Sequence, residues 1–155
     1  MSVVSKVDKP LRIIGIGSPF GADRIGWRVA EYLARSVRLP KTFEVLTRDR
    51  PGVMLLNDMH GVERVVLVDA VCSNRVSGQV RHLTVDDAIA HYKLFSSHGF
   101  GVGEALSLGR VLGELPRELT IFGIEIPVDG GGFSGDEIEC MARGAAEFIV
   151  GELLG

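Results

Sequence analysis

The sequence predicts an α/β protein, a three-layer α/β/α sandwich built on a mostly parallel sheet of about five strands. Three observations lead there. Short runs rich in Val, Ile and Leu recur with little polar alternation, the pattern of strands covered on both faces. Segments of helical period separate those runs, so strand and helix alternate along the chain. The 155 residues are 46% hydrophobic and contain no repeat, linker or low-complexity tract, which fits one core-rich domain.

Each element has its own warrant. Residues 1–10, MSVVSKVDKP, read as a flexible extension at the start of a single domain spanning 1–155. LRIIGIG (11–17) is the first buried strand. IGWRVAEYLARSV (25–37) sets Ile25, Val29, Tyr32, Leu33 and Val37 on one stripe expected to pack on the sheet. FEVLT (43–47) is the second strand, VMLLNDM (53–59) a short helix, and RVVLVDAV (64–71) the most apolar strand. GQVRHLT (78–84) alternates and reads as an edge or antiparallel strand. DDAIAHYKL follows Thr84, whose hydroxyl can cap a helix with Asp87 completing the box. FGVGEALSLGRVLGEL (100–115) is a helix stopped by Pro116, LTIFGIEI (119–126) a strand, and residues 134–154 a final helix boxed by Ser134 and Glu137.

Composition removes several function classes. The net charge is −3 with acids and bases interspersed, so no basic tract points to nucleic acid or a membrane surface. The longest apolar runs, such as VVLVDAV, are too short to span a bilayer, and the N-terminal residues lack a signal-peptide pattern. Cys72 and Cys140 make no disulfide framework, and a reducing cytoplasm is expected.

Chemistry is sought at the carboxyl ends of strands, where open α/β sheets form their sites. After the first strand comes Gly15-Ile16-Gly17-Ser18-Pro19-Phe20. A dinucleotide fingerprint needs glycine where Phe20 stands, and Pro19 removes an N–H that would cradle phosphate, so a nucleotide module is a poor third reading. Gly17, Gly21 and Gly26 read instead as turn formers that lift Asp23 above the strand end. Asp69 ends the VVLVD strand. Alone it reads as a cap, but two acids delivered by adjacent strand ends repel and call for a cation between them. His98 stands in a Ser- and Gly-flanked segment, SSHGFG, unlike His60, His82 and His91, which read as surface imidazoles. Imidazole with two carboxylates makes a workable open divalent-metal site. Cys72 reads as a small hydrophobe in preference to a ligand. Arg48, Asp49 and Arg50, at another strand end, are candidate substrate-binding residues, their guanidinium forks suited to peptide carbonyls or acidic side chains.

These residues carry a resemblance. IIGIGSPFGADRIGWRVAEYL resembles the opening of the nickel–iron hydrogenase maturation endopeptidases. VVLVDAVCSNRVSGQVRHL is similar to that family's second block, and SSHGFGVGEALSLGRVLGELPRELTIFGIEI to its third, in the right order over about residues 11–154. The resemblance places the family's metal-binding triad on Asp23, Asp69 and His98. It implies engagement of nickel already inserted in a hydrogenase large-subunit precursor, and removal of a C-terminal peptide from it. The divalent metal, nickel, would thus arrive with the precursor. The sequence departs from the family in a first motif one residue short, in Ser18, Ala22 and Arg24, and in the arginines of Thr47-Arg48-Asp49-Arg50-Pro51-Gly52.

No Ser–His–Asp or Cys–His set is placed for nucleophilic attack, so metal-assisted hydrolysis is the expected chemistry, with Asp23 or Asp69 as a possible general base. The alternative is a non-proteolytic chaperone or scaffold that binds a metalloprotein precursor without cutting it.

Overall fold

The structure, a computed structural model, describes residues 9–73, 75–90, 101–127 and 133–155. A five-stranded sheet forms from β1 (Leu11–Gly17), β2 (Phe43–Asp49), β3 (Arg64–Val71), β4 (Val80–Leu83) and β5 (Glu118–Glu125), in the order β2-β1-β3-β5-β4. Every pairing is parallel except the edge strand β4, which runs antiparallel to β5 with Val80 opposite Ile124. The helices are α1 (Ile25–Arg35), α2 (Leu55–Met59), α3 (Val85–Ala90), α4 (Val102–Leu112) and α5 (Gly135–Leu154).

The apolar strands divide their side chains between two cores, as a doubly covered sheet requires. Ile13, Val66, Val68, Ala70 and Phe122 pack with Ile25, Val29 and Leu33 of α1 and with Ala142, Ala145 and Ile149 of α5. Ile14, Ile16, Val65, Leu67 and Ile121 meet Leu55 and Met59 of α2, Ala88 of α3, and Val102, Ala105 and Leu106 of α4. Each fully buried Ile or Leu contributes roughly 1.5–3 kcal/mol. All eight residues of β3 are buried.

Caps fix the helix ends. Thr84 Oγ1 accepts the Asp87 N–H at 3.0 Å while Asp87 accepts the Thr84 N–H at 3.1 Å, the box the sequence predicts. Ser134 likewise accepts the Glu137 N–H at 3.1 Å. Gly113 ends α4 in the left-handed region at φ 69°.

Helix α4 ends at Leu112, where Gly113 turns the chain, short of the expected stop at Pro116, and two further boundaries differ from expectation. Helix α1 stops at Arg35, and Val37 is 98% exposed, outside the stripe assigned to it. Ser36 turns the chain to an extended conformation and its hydroxyl accepts the Arg38 N–H, a local bond that competes with helix continuation. Strand β2 runs on through Arg48 and Asp49, because an edge strand tolerates polar residues that a central one does not. Helix α3 is described only to Ala90; the remainder of the expected helix, with His91 and His98, lies outside the described residues.

The chain moves from β1 to β2 on one side and to β3 on the other. The carboxyl ends of β1 and β3 therefore flank the point where strand order reverses, the usual place for a site in such a sheet.

Candidate active site

Helix α1 is pressed onto β1 closely enough that a Cβ on Gly26 would sit 2.0 Å from the Ile16 carbonyl oxygen, and one on Gly15 2.5 Å from that of Gly26. Only glycines allow this contact, and it hangs the 3₁₀ turn Gly21–Arg24 directly over the end of β1. Of the three glycines read as turn formers, only Gly21 has positive φ, 54°; Gly17 and Gly26 serve by close approach instead.

That turn delivers Asp23, half-buried. Ser18, itself 2% exposed, donates its hydroxyl to Asp23 Oδ2 at 2.5 Å, and its N–H donates to the Asp23 carbonyl at 3.3 Å. The carboxylate is aimed by a buried serine that the sequence marks only as a departure.

Asp69 sits at the end of β3 and is 1% exposed. Its Oδ1 accepts the Ala70 N–H at 2.8 Å, while its Oδ2 is buried with no hydrogen-bond partner among the described residues. Burial pushes the carboxyl well above its ordinary range, and the Asp23 charge raises it further against the opposing Ala70 N–H. The two strand-end acids therefore feel one another, in a place where an unpartnered oxygen is costly unless something fills it. An oxygen donor with a free lone pair beside a second carboxylate fits a hard or borderline cation. Among the described residues no three His, Cys, Asp or Glu converge, so a third protein donor would have to come from outside them; His98 lies there.

Cys72 is half-buried against the α1/α5 core, its thiol reaching the Pro127 carbonyl at 3.6 Å. Burial raises its proton affinity, and the charges of Glu125, Asp23 and Asp69 raise it further.

The candidate substrate residues divide. Arg48 donates Nε and Nη2 to the two oxygens of Asp58 on α2, each at 2.9 Å, and its carbonyl accepts the Trp27 indole N–H at 2.8 Å. Its guanidinium is engaged by Asp58 of α2. Arg50 lies at the mouth of the site: its N–H donates to the Gly17 carbonyl at 3.1 Å, its Nε donates to exposed Asp49 at 2.8 Å, and its guanidinium lies 5.7 Å from the Phe20 ring centre. Asp49, and to a lesser degree Asp23, raise its proton affinity. His60 and His82 are exposed, as expected of surface imidazoles.

Sequence reasoning passed over one further acid. Glu125 ends β5, as Asp69 lies two residues before the end of β3; it is fully buried and binds Ser73 and Arg81. A charged residue closing an apolar strand was the available signal.

The family model for hydrogenase maturation proteases, HycI, matches residues 27–152. The chain belongs to the hydrogenase maturation protease family. The matched span includes Asp69 and His98 and begins just beyond Asp23. The hydrogenase 2 maturation protease of Escherichia coli (strain K12) is 30% identical over 115 residues, covering 72% of this chain and 70% of that one. The hydrogenase expression/formation protein HupD of Bradyrhizobium diazoefficiens is 28% identical over 129 residues, covering 81% of this chain and 66% of its own length. A solution structure of an endopeptidase from Escherichia coli superposes with a TM-score of 0.76 at 25% identity, covering 93% of this chain and 91% of that one. The hydrogenase maturating endopeptidase HybD from E. coli, at 24% identity, shares the fold with a TM-score of 0.72 over 94% and 92% of the two chains. As a family member the chain is a hydrolase, an endopeptidase of hydrogenase maturation. No helix among the described residues is long and apolar enough to cross a membrane.

Proposed function

We propose that this endopeptidase removes a C-terminal peptide from the nickel-loaded precursor of a hydrogenase large subunit, and that Asp23, Asp69 and His98 engage the nickel the precursor carries. The observation that carries the reading is the buried Asp69 Oδ2, without a partner among the described residues, on a carboxyl whose proton affinity the Asp23 charge raises. Its raised proton affinity makes a proton and a cation compete for Asp69, so metal arrival and proton release are linked. Bound nickel would polarise the scissile carbonyl or acidify a water. Asp23, held by Ser18, is aimed to accept a proton from such a water or to ligate the metal. Arg50, at the mouth, suits a carbonyl or acidic side chain of the peptide; Arg48, paired with Asp58, does not. Cys72 and Cys140 are both free, which suits work in a reducing cytoplasm.

The test is mass spectrometry of the precursor after incubation with wild-type and His98→Ala protein, with and without nickel in the precursor. We expect a shortened C-terminus only for wild type on loaded precursor, and an unchanged melting temperature in the variant. Full cleavage by His98→Ala, or equal cleavage of nickel-free precursor, overturns the assignment. A precursor bound but never shortened favours the scaffold alternative.

A further inference from the structure

Glu125 takes no part in the reaction just described, yet it is the most completely engaged acid in the described chain. Its N–H donates to the Gln79 carbonyl at 3.0 Å, and its carbonyl accepts the Gly78 N–H at 2.8 Å. Its carboxylate accepts the Ser73 N–H at 3.1 Å and the Ser73 hydroxyl, with the Arg81 guanidinium 3.5 Å away. Arg81 in turn donates to Ser73 Oγ at 3.1 Å. One residue thus ties the chain leaving β3 to the chain entering β4.

Cohesion alone does not explain a charge here. The neighbours Ile124 and Ile126 are buried and apolar, and a well-packed apolar residue in place of a buried ion pair is often neutral or stabilising. What a multiply bonded carboxylate adds is direction: it admits one arrangement of its donors and penalises others. The segment it fixes begins at Cys72, directly after the strand that ends in Asp69 and Val71, and Val71 lies opposite Glu125 in the register.

We propose that Glu125 is a positioning residue for the hydrolysis: gripping Ser73 and Arg81, it holds the chain leaving β3, on which Cys72 lies, in one arrangement, a fixed wall beside Asp69. This rests on the reading of Asp69 as part of the active centre.

A thiol reports on that wall without metal or precursor. In a Cys140→Ser background Cys72 is the sole cysteine, and its alkylation by iodoacetamide measures how often the segment opens. Glu125→Ala should speed alkylation roughly tenfold. Glu125→Gln should stay within about twofold of the parent once rates are compared per thiolate, because an amide oxygen still accepts from Ser73 while losing the Glu125 charge alone eases thiol ionisation. On loaded precursor, Glu125→Ala should lower kcat about 100-fold with KM within about threefold, and Glu125→Gln should recover most of it. Unchanged alkylation or unchanged kcat in Glu125→Ala overturns the proposal, as does a Glu125→Gln variant that is as impaired as the alanine. Should the alanine variant not fold, Ser73→Ala replaces it with the same expectations, and unchanged alkylation there is equally decisive. A parent protein that cleaves nothing strikes the proposed function instead, so the two failures are told apart.

Discussion

Asp69 on β3 and Glu125 on β5 are carboxylates sunk at the same end of neighbouring strands, 1% and 0% exposed. Their surroundings differ in kind. Every polar group of Glu125 meets a donor or acceptor of this chain, so its burial is balanced. Among the described residues Asp69 has one donor, Ala70 N–H, and an oxygen without a partner, on a carboxyl that feels the Asp23 charge. A satisfied buried charge organises the protein around it, whereas an unsatisfied one is held at a cost by the rest of the fold and is suited to something that arrives from outside. On the proposed reading, the difference separates an acid that builds the site from an acid that acts in it.

The comparison breaks if the two acids respond alike to removal of charge. Asp69→Asn should lower cleavage by about 10³ or more, the scale of losing an electrostatic group at the reacting centre. The same change should stabilise the metal-free protein by about 1 kcal/mol, since it relieves burial and repulsion. The sign with pH follows. A carboxyl raised in the folded state contributes stability present below its unfolded value and lost as pH rises through the folded one. The gain for Asn should therefore be largest near neutrality and shrink toward acid, as melting at several pH values will show. Glu125→Ala should go the other way, losing about 3 kcal/mol because Arg81 and Ser73 are left without their acceptor. That is a fall of roughly 6–12 °C in melting temperature. Equal shifts of the same sign in both variants would dissolve the distinction.

A smaller effect sharpens it. Ser18→Ala removes the hydroxyl that aims Asp23, and cleavage should fall about 10–100-fold, the usual range for a residue that orients a ligand. Asp23 is only half-buried and can be rehydrated, so stability should fall by no more than about 1 kcal/mol. A melting loss larger than that, with unchanged cleavage, would make Ser18 a structural cap alone.

The contrast also explains what the amino-acid sequence disclosed. Asp23 and Asp69 were legible because strand-end position is written in the apolar runs before them. The five-stranded α/β sandwich was legible for the same reason: Val- and Ile-rich runs covered on both faces look like little else. Glu125 ends such a run too, but its meaning depends on partners with sequence separations of 52 and 44 residues, Ser73 brought by the parallel pairing of β3 with β5 and Arg81 by the antiparallel return of β4. The partner of Arg48 was hidden in the same way. The arginine's position at a strand end was correct, but period-2 alternation within β2 aims its side chain at Asp58 of α2. Val37 fell outside its stripe because one serine diverted the chain. Periodicity specifies which face a residue prefers; it carries no information on which distant group will meet it.

A third carboxylate, at the surface, sets the lower end of the scale. Glu139 on α5 accepts Arg28 Nε and Nη2 at 2.5 and 2.9 Å and the Tyr32 hydroxyl at 2.5 Å, joining α5 to α1 far from the site. The Arg28 bond first, then that of Tyr32, lowers its carboxyl from 4.5 to about 2, with Arg143 adding a smaller attraction. A carboxyl lowered in the folded state contributes stability present above its unfolded value and lost as pH falls through the folded one. The window for this group therefore runs from about 4.5 down to about 2. Glu139 and Arg28 are 35% and 28% exposed, so water screens the pair. Glu139→Gln should cost less than about 1 kcal/mol at neutral pH. It should leave cleavage unchanged and flatten the acid limb of stability in that window alone. Calorimetric melts of the variant and parent from pH 7 to pH 2 check this: a difference that persists at the lowest pH would mean that Glu139 acts through packing and not through its charge.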